Sequence, residues 1–293
     1  MTFSLNRVLS IAKQRLKMKK VLLILVLMLA ATPTINAQEK IKGDRNVTIK
    51  QTYIDDFHTI VVDGDFSIEI VYNSKPSVNV ETDDNLHDVI QFDVVDGVLS
   101  FAETMRITSK KQLNITVNYG DALQNIEIKG DGEIRSLTSM ELDNASLITS
   151  DNSRAYLNIK ANTFDYKSTG KSKTRLNLTA DSTKIELSDN SKLDALINSK
   201  VADFDLYQRS DAVIEGAANS SVIRLDNSTN FNSPKFDVKT VDATLEGNSD
   251  LTISTMDKIT ITASGDTEIY LFGSPAITIA KFEDTAKLQK KKR

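Results

Sequence analysis

Residues 185–191 read Ile-Glu-Leu-Ser-Asp-Asn-Ser, and nineteen positions on, residues 204–210 read Phe-Asp-Leu-Tyr-Gln-Arg-Ser. Each stretch alternates apolar and charged residues, then ends in polar residues and a small hydroxyl residue. Extending this comparison outward, a small residue recurs at Gly132, Ser153, Ser172, Ser191, Ser210, Ser228, Ser249, Thr267 and Thr285, with successive gaps of 21, 19, 19, 19, 18, 21, 18 and 18. The preceding residue is Asp or Asn in seven of the nine units. Six positions before each anchor stands Ile126, Leu147, Tyr166, Ile185, Phe204, Val222, Ala243, Ile261 or Ile279, and every one is apolar or aromatic. Apolar residues return two and four positions after the anchor, as in Leu193 and Ala195 or Leu251 and Ile253.

A fixed period of this length is the mark of a stacked repeat. Nineteen residues at strand rise go once round a narrow coil, and one coil cannot bury its single apolar face alone. Stacked in parallel about 4.8 Å apart, coils place like side chains over like, so the column six before the anchor becomes an internal stack. The anchor column must turn a corner. Asp and Asn tolerate left-handed backbone angles, and a small neighbour lets the next coil approach. The expected fold is all-β, a parallel β-helix or β-solenoid with coils of about 19 residues. A β-propeller blade needs about 40 to 50 residues, and an immunoglobulin-like sandwich has no reason to hold one corner type at constant period.

Residues 126–290 carry the regular coils. Residues 42–125 also alternate, as in Ile60-Val61-Val62, Ile68-Glu69-Ile70 and Val78-Asn79-Val80, with turn signals at Asp63-Gly64 and Asp96-Gly97. No Pro, Gly or Ser-rich linker separates them from the rest, so they read as the first, irregular coils of one domain spanning 38–290. Residues 287–293 form a basic tail, expected to be a disordered, solvated end that blunts the last open edge.

Residues 1–37 carry six cations and no carboxylate, then an apolar run from Val21 to Ala31. Eleven residues span roughly 16 Å, about half a bilayer core. The stretch reads as a secretory signal peptide cut between Ala37 and Gln38, with no membrane span left after cleavage. Met18-Lys19-Lys20 resembles a signal start by itself, which leaves residues 1–17 as either an upstream extension or a stretch ahead of the true start at Met18. The whole chain carries −4, and removing six leader cations leaves about −10. That acidity argues against a nucleic-acid partner.

Composition excludes more chemistry than it offers. The chain has no Cys, no Trp and two His, which removes disulfide scaffolds, thiolate metal sites and thiol nucleophiles. His58 and His87 show no metal-binding spacing, and no phosphate-cradling glycine loop or nucleophile elbow occurs. The carboxylates of Asp63-Gly64-Asp65 and Asp131-Gly132-Glu133 could act as a general acid and base, yet Asp-Gly is first a tight-turn dipeptide. Asp and Asn oxygens recur at the corners without the spacing of a calcium loop. No catalytic, cofactor or metal residue is therefore assigned, and no cofactor is expected.

Asp56-Phe57-His58-Thr59-Ile60-Val61-Val62-Asp63-Gly64, Asp84-Asn85-Leu86 and Asp96-Gly97-Val98-Leu99, followed by Ser-Asp-Asn-Ser corners, resemble the putative auto-transporter adhesin, head GIN-domain family of exported Bacteroidota proteins. The similarity covers about residues 45–290. It implies a right-handed parallel β-helix, a periplasmic, secreted or cell-surface location, and no catalytic residues. The expected function is a non-enzymatic, adhesin-like binding module of the cell envelope that presents a polar face to glycan or protein. The alternatives are a carbohydrate-active enzyme and a purely structural envelope component.

Overall fold

The computed structural model describes residues 39–292, so residues 1–38, where a signal peptide is expected, and Arg293 lie outside the described residues. The first part of the fold comprises β1 (Lys40–Lys42), β2 (Val47–Tyr53), β3 (Thr59–Val62), β4 (Ser67–Tyr72), β5 (Ser77–Asp83), β6 (Ile90–Val95), β7 (Val98–Glu103), β8 (Arg106–Ser109) and β9 (Leu113–Tyr119). Then β10 (Asn125–Ile128), β11 (Glu133–Ser136), β12 (Met140–Glu141) and β13 (Asn144–Thr149) lead into long strands. These are β14 (Arg154–Ser168), β15 (Lys173–Leu187), β16 (Lys192–Leu206), β17 (Asp211–Leu225), β18 (Asn230–Leu245) and β19 (Asp250–Ala263). β20 (Glu268–Gly273), β21 (Ala276–Phe282) and β22 (Lys287–Lys290) close the coil stack. Among the described residues the one helical element is a 3-10 turn at Asp84–Leu86.

The long strands stack in parallel register. Leu147, Tyr166, Ile185, Phe204, Ile223, Ala243 and Ile261 lie one above the next, and all are at most 1% exposed. Each coil is a flattened tube. In β16, Leu193, Ala195 and Ile197 face inward from the first half, and Ala202, Phe204 and Leu206 from the second. Each buried aliphatic contributes about 1.5 to 3 kcal/mol. The solenoid and its internal stack are as expected, with one shift of register: Ile223, not Val222, occupies the column, and the anchor of that coil is Thr229 rather than Ser228. The last anchor is likewise Ala286, not Thr285, because Lys287 N–H donates to the Thr267 carbonyl. Two small residues stand side by side at each of these corners, and the backbone ladder, not residue type, decides which one is used.

The corners also differ from expectation in which residue turns. Positive φ falls two residues before the anchor, at Asp151 (59°), Asp189 (60°), Gln208 (64°), Asn227 (67°) and Asp284 (58°), alternating with glycines such as Gly170 (71°). Asn190, one before its anchor, was expected to bend left-handed, and it does not. The carbonyl of each left-handed residue accepts the N–H of the following coil's next position, as Gly170 does from Asn190 and Asp189 from Arg209. The ladder thus runs through the bend. The position before the anchor instead builds side-chain rungs: Asn152 Nδ2 donates to Asp131 Oδ1 at 2.6 Å and Arg209 Nε to Asn190 Oδ1 at 2.9 Å. At Ser172, Ser191, Ser210 and Ser249 the anchor hydroxyl closes the turn, Ser191 Oγ donating to the Ser188 carbonyl at 2.7 Å, whereas the buried hydroxyls of Ser153, Thr229 and Thr267 have no hydrogen-bond partner among the described residues.

Residues 42–125 are more than irregular coils. β3 and β4 do lie in parallel beneath β10 and β11. On their other side, however, sit β7 and β9, which come later in the sequence. Antiparallel strands then seal the outer coil: β6 on β7, β5 on β9, and β2 on β5. The basic end is not a disordered tail up to Lys290, since β22 pairs with β20 and Lys287 Nζ lies 2.9 Å from Glu268 Oε1.

Two buried tyrosines mark the contrast between the parts. The Tyr166 hydroxyl meets Thr149 Oγ1 at 3.1 Å and Thr174 Oγ1 at 2.5 Å, and Ser168 and Ser172 extend the cluster. The Tyr119 hydroxyl is buried with no hydrogen-bond partner among the described residues, and burial pushes its pKa up to about 12.

Candidate functional site

The alternation that sends Ala155, Leu157 and Ile159 into the core sends Arg154, Tyr156 and Asn158 outward, and the parallel register repeats this on every coil. One position after the anchor, the outward column runs Glu133, Arg154, Lys173, Lys192 and Asp211. Three positions after it, the column runs Arg135, Tyr156, Arg175, Asp194 and Val213. A third column brings Asn158, Asn177 and Leu196 together.

These columns border two adjoining depressions of about 400 and 480 Å³ that share Tyr156, Arg175 and Asp194, forming one open groove along the stack. The Arg135 guanidinium lies 4.4 Å from the centre of the Tyr156 ring, a favourable cation–π contact. Leu196 and Val213 stay more than 40% exposed on the same face. Ion pairs hold part of the charge: Arg135 to Glu133 at 3.5 Å, Arg175 to Asp194 at 3.9 Å and Lys192 to Asp211 at 3.0 Å. Arg154 and Lys173 make no ion pair among the described residues.

The opposite sheet face is differently charged. There Lys167 meets Glu186 at 3.5 Å and Arg224 meets Asp205 at 2.9 Å. The Arg224 guanidinium pKa is raised by the Asp205 hydrogen bond.

The residues weighed from sequence fall elsewhere. Asp63-Gly64-Asp65 and Asp131-Gly132-Glu133 are corners of neighbouring coils, stacked so closely that a Cβ on Gly130 would lie 3.1 Å from the Gly64 nitrogen. Asp131 is engaged by Asn152 and Glu133 by Arg135. His58 contacts Thr59 Oγ1 at 2.8 Å, while His87 contacts Thr48 Oγ1 at 2.9 Å. His87 also edges a 490 Å³ cleft in the antiparallel end, floored by Ile90, Phe92 and Phe101 and reached by Lys50. The groove cations escaped the sequence reading because it followed the anchor and core columns. The three consecutive cations one position past Ser153, Ser172 and Ser191 were the available signal.

The fold and face define a parallel β-solenoid carrying an open, chemically graded groove instead of a closed pocket. The family model for "Putative auto-transporter adhesin, head GIN domain" matches residues 56–197 and 174–275. The chain belongs to that family. Among curated proteins none matches. Solved structures share the fold. One described as a putative adhesin from Parabacteroides merdae ATCC 43184 is 19% identical, with 86% of this chain and 99% of that chain covered at a TM-score of 0.62. A putative adhesin from Parabacteroides distasonis ATCC 8503 is also 19% identical, covering 86% and 100% at 0.64. A third, described as a putative lipid binding protein from the same organism, is 15% identical, covering 86% and 99% at 0.55. No helix among the described residues is long and apolar enough to cross a membrane.

Proposed function

We propose that this chain is an exported, non-enzymatic binding module of the cell envelope, in the periplasm, on the outer surface or released, that holds a glycan or envelope protein against its solenoid face. The observation that carries this reading is the open groove over β11 and β14–β17, where outward columns are fixed by a backbone hydrogen-bonded on both sides. Such a surface presents groups at constant spacing with little ordering to do on binding. Membership of the adhesin family supports it. The test is to immobilise residues 38–293 and pass envelope extracts and a glycan panel over them. Retention without shortening of the glycan supports the reading. Reproducible depolymerisation would favour a carbohydrate-active enzyme instead, with the stacked carboxylates of Asp63, Asp65, Asp131 and Glu133 the first to substitute. N-terminal sequencing of the exported product should begin at Gln38.

A further inference from the structure

We infer that the groove seats an acidic polysaccharide, a chain of uronate-type sugars running along the coil axis over Arg154, Lys173, Arg175 and Lys192. This rests on the reading of the solenoid as a glycan-binding module. The first ground is charge. The groove is lined by four cations, Arg135, Lys173, Arg175 and Lys192, against two carboxylates, Asp194 and Asp211, with Arg154 stacked beside Lys173 at its edge, so it is cationic on a chain that is acidic overall. A cleft of one sign concentrates ligands of the other.

The second ground is an arrangement that works against the free protein. Arg154, Lys173 and Lys192 sit directly over one another on consecutive coils, and like charges stacked across strands repel. On the opposite face Glu186 and Asp205 also lie directly over one another, but each meets an opposite charge on its other side, Lys167 and Arg224, whereas Arg154 and Lys173 make no ion pair among the described residues. Within the fold Asp211 compensates Lys192 alone, and a local rule left broken at Arg154 and Lys173 points to a partner that supplies the missing charge.

The third ground is spacing and donor type. Coils lie about 4.8 Å apart, so a sugar chain laid along the stack brings those of its carboxylates that face the protein within reach of cations on several coils. Arginine and lysine provide charge-assisted hydrogen bonds to carboxylates. The amides of Asn158 and Asn177 border the same groove and suit sugar hydroxyls. An acidic peptide fits less well, because the strands beneath are paired on both sides and leave no backbone edge for strand addition.

Calorimetry on the intact mature chain with polygalacturonate oligomers, and with the same oligomers fully methyl-esterified, tests this. The acid form should bind and weaken with added salt, and the ester should bind at least about tenfold more weakly. Lys173→Gln should weaken binding by about tenfold while its melting temperature stays equal to or above that of the parent, because it relieves the stacked repulsion. Lys258→Gln, on a distant part of the stack, should bind as the parent does. Equal affinity for acid and ester, or an unchanged Lys173→Gln, would overturn the inference. So would poly-glutamate competing as well as the sugar, which would assign the groove to an acidic protein. If the chain ignores both oligomers yet is retained on neutral glycans or an envelope protein, this inference fails and the broader binding function stands. If nothing retains it, both fail.

Discussion

The coils from β14 to β20 and the region from β1 to β9 use the same inward alternation of aliphatic residues, but only the first is wound in sequence order. In the regular part every strand finds its neighbour about nineteen residues away, and identical corners lie on identical corners. In the early part, β3 and β4 lie between β10 and β11 on one side and β7 and β9 on the other, with antiparallel strands closing the outside. The difference teaches that a repeat supplies its own register, whereas the end of a repeat needs a separate device. A solenoid end exposes unpaired edges and core side chains. The early region covers that end. At the other end Ile277, Ile279 and Phe282 stay 44%, 52% and 37% exposed.

Seven substitutions, grouped into four tests, sharpen the contrast. Ile185→Asp puts an unpaired charge in the middle of the stack and should remove about 4 kcal/mol, whereas Val94→Asp, half-buried in the capping hairpin, should remove about 1 kcal/mol. Comparable melting temperatures for the two variants would show that the stack is not the stronger region. Gly216→Ala comes next. At φ 111° its new Cβ would lie 2.1 Å from the Ile197 carbonyl oxygen of the coil below, and the displacement of backbone should lower stability by about 2 to 3 kcal/mol. Urea unfolding would report it, and an unchanged midpoint would contradict the close approach of these coils.

The tyrosines form a second pair. Tyr166→Phe strips a satisfied polar cluster of its central hydroxyl and should cost about 1 to 3 kcal/mol. Tyr119→Phe removes a buried hydroxyl that has no partner and should be neutral or stabilising. Equal losses would mean that the Tyr119 hydroxyl has a partner in solution. The smallest effect separates corner positions. Asp189→Val forces a β-branched residue into a left-handed bend, about 1 to 2 kcal/mol, while Asn190→Val, outside that region, should change stability by about 0.5 kcal/mol or less. Thermal melts of the two variants distinguish them, and a reversed order would restore the bend to Asn190.

Much of the regular part was readable in the chain. Tyr166, Ile185 and Phe204 announce the stack because periodicity reports burial directly. The exact corner did not follow from composition, since Ser188, Asp189, Asn190 and Ser191 are all plausible bend residues and the ladder between coils selects the one that turns. Ser228 and Thr229 are equally plausible anchors by residue type, and the ladder selects Thr229, while the extra residue around Pro234, where β18 bulges against β17 and β19, lengthens only the coil that follows. The capping topology was hidden for a different reason: alternation in β5 or β6 is the same for parallel and antiparallel pairing. The groove was half visible. Its cations are spaced in sequence, but their convergence with Tyr156 and the paired asparagines depends on which outward column lies beside which.

The interleaving of β7 and β9 beneath β3 and β4 gives the molecule unequal tolerance to shortening. Cutting away β21 and β22 peels an outer layer and leaves the coil below it intact. Deleting residues up to Tyr72 instead extracts a middle layer and leaves β7 and β9 with only their antiparallel partners, while β10 and β11 lose their floor. Variation in length among such proteins should therefore accumulate toward the carboxyl end.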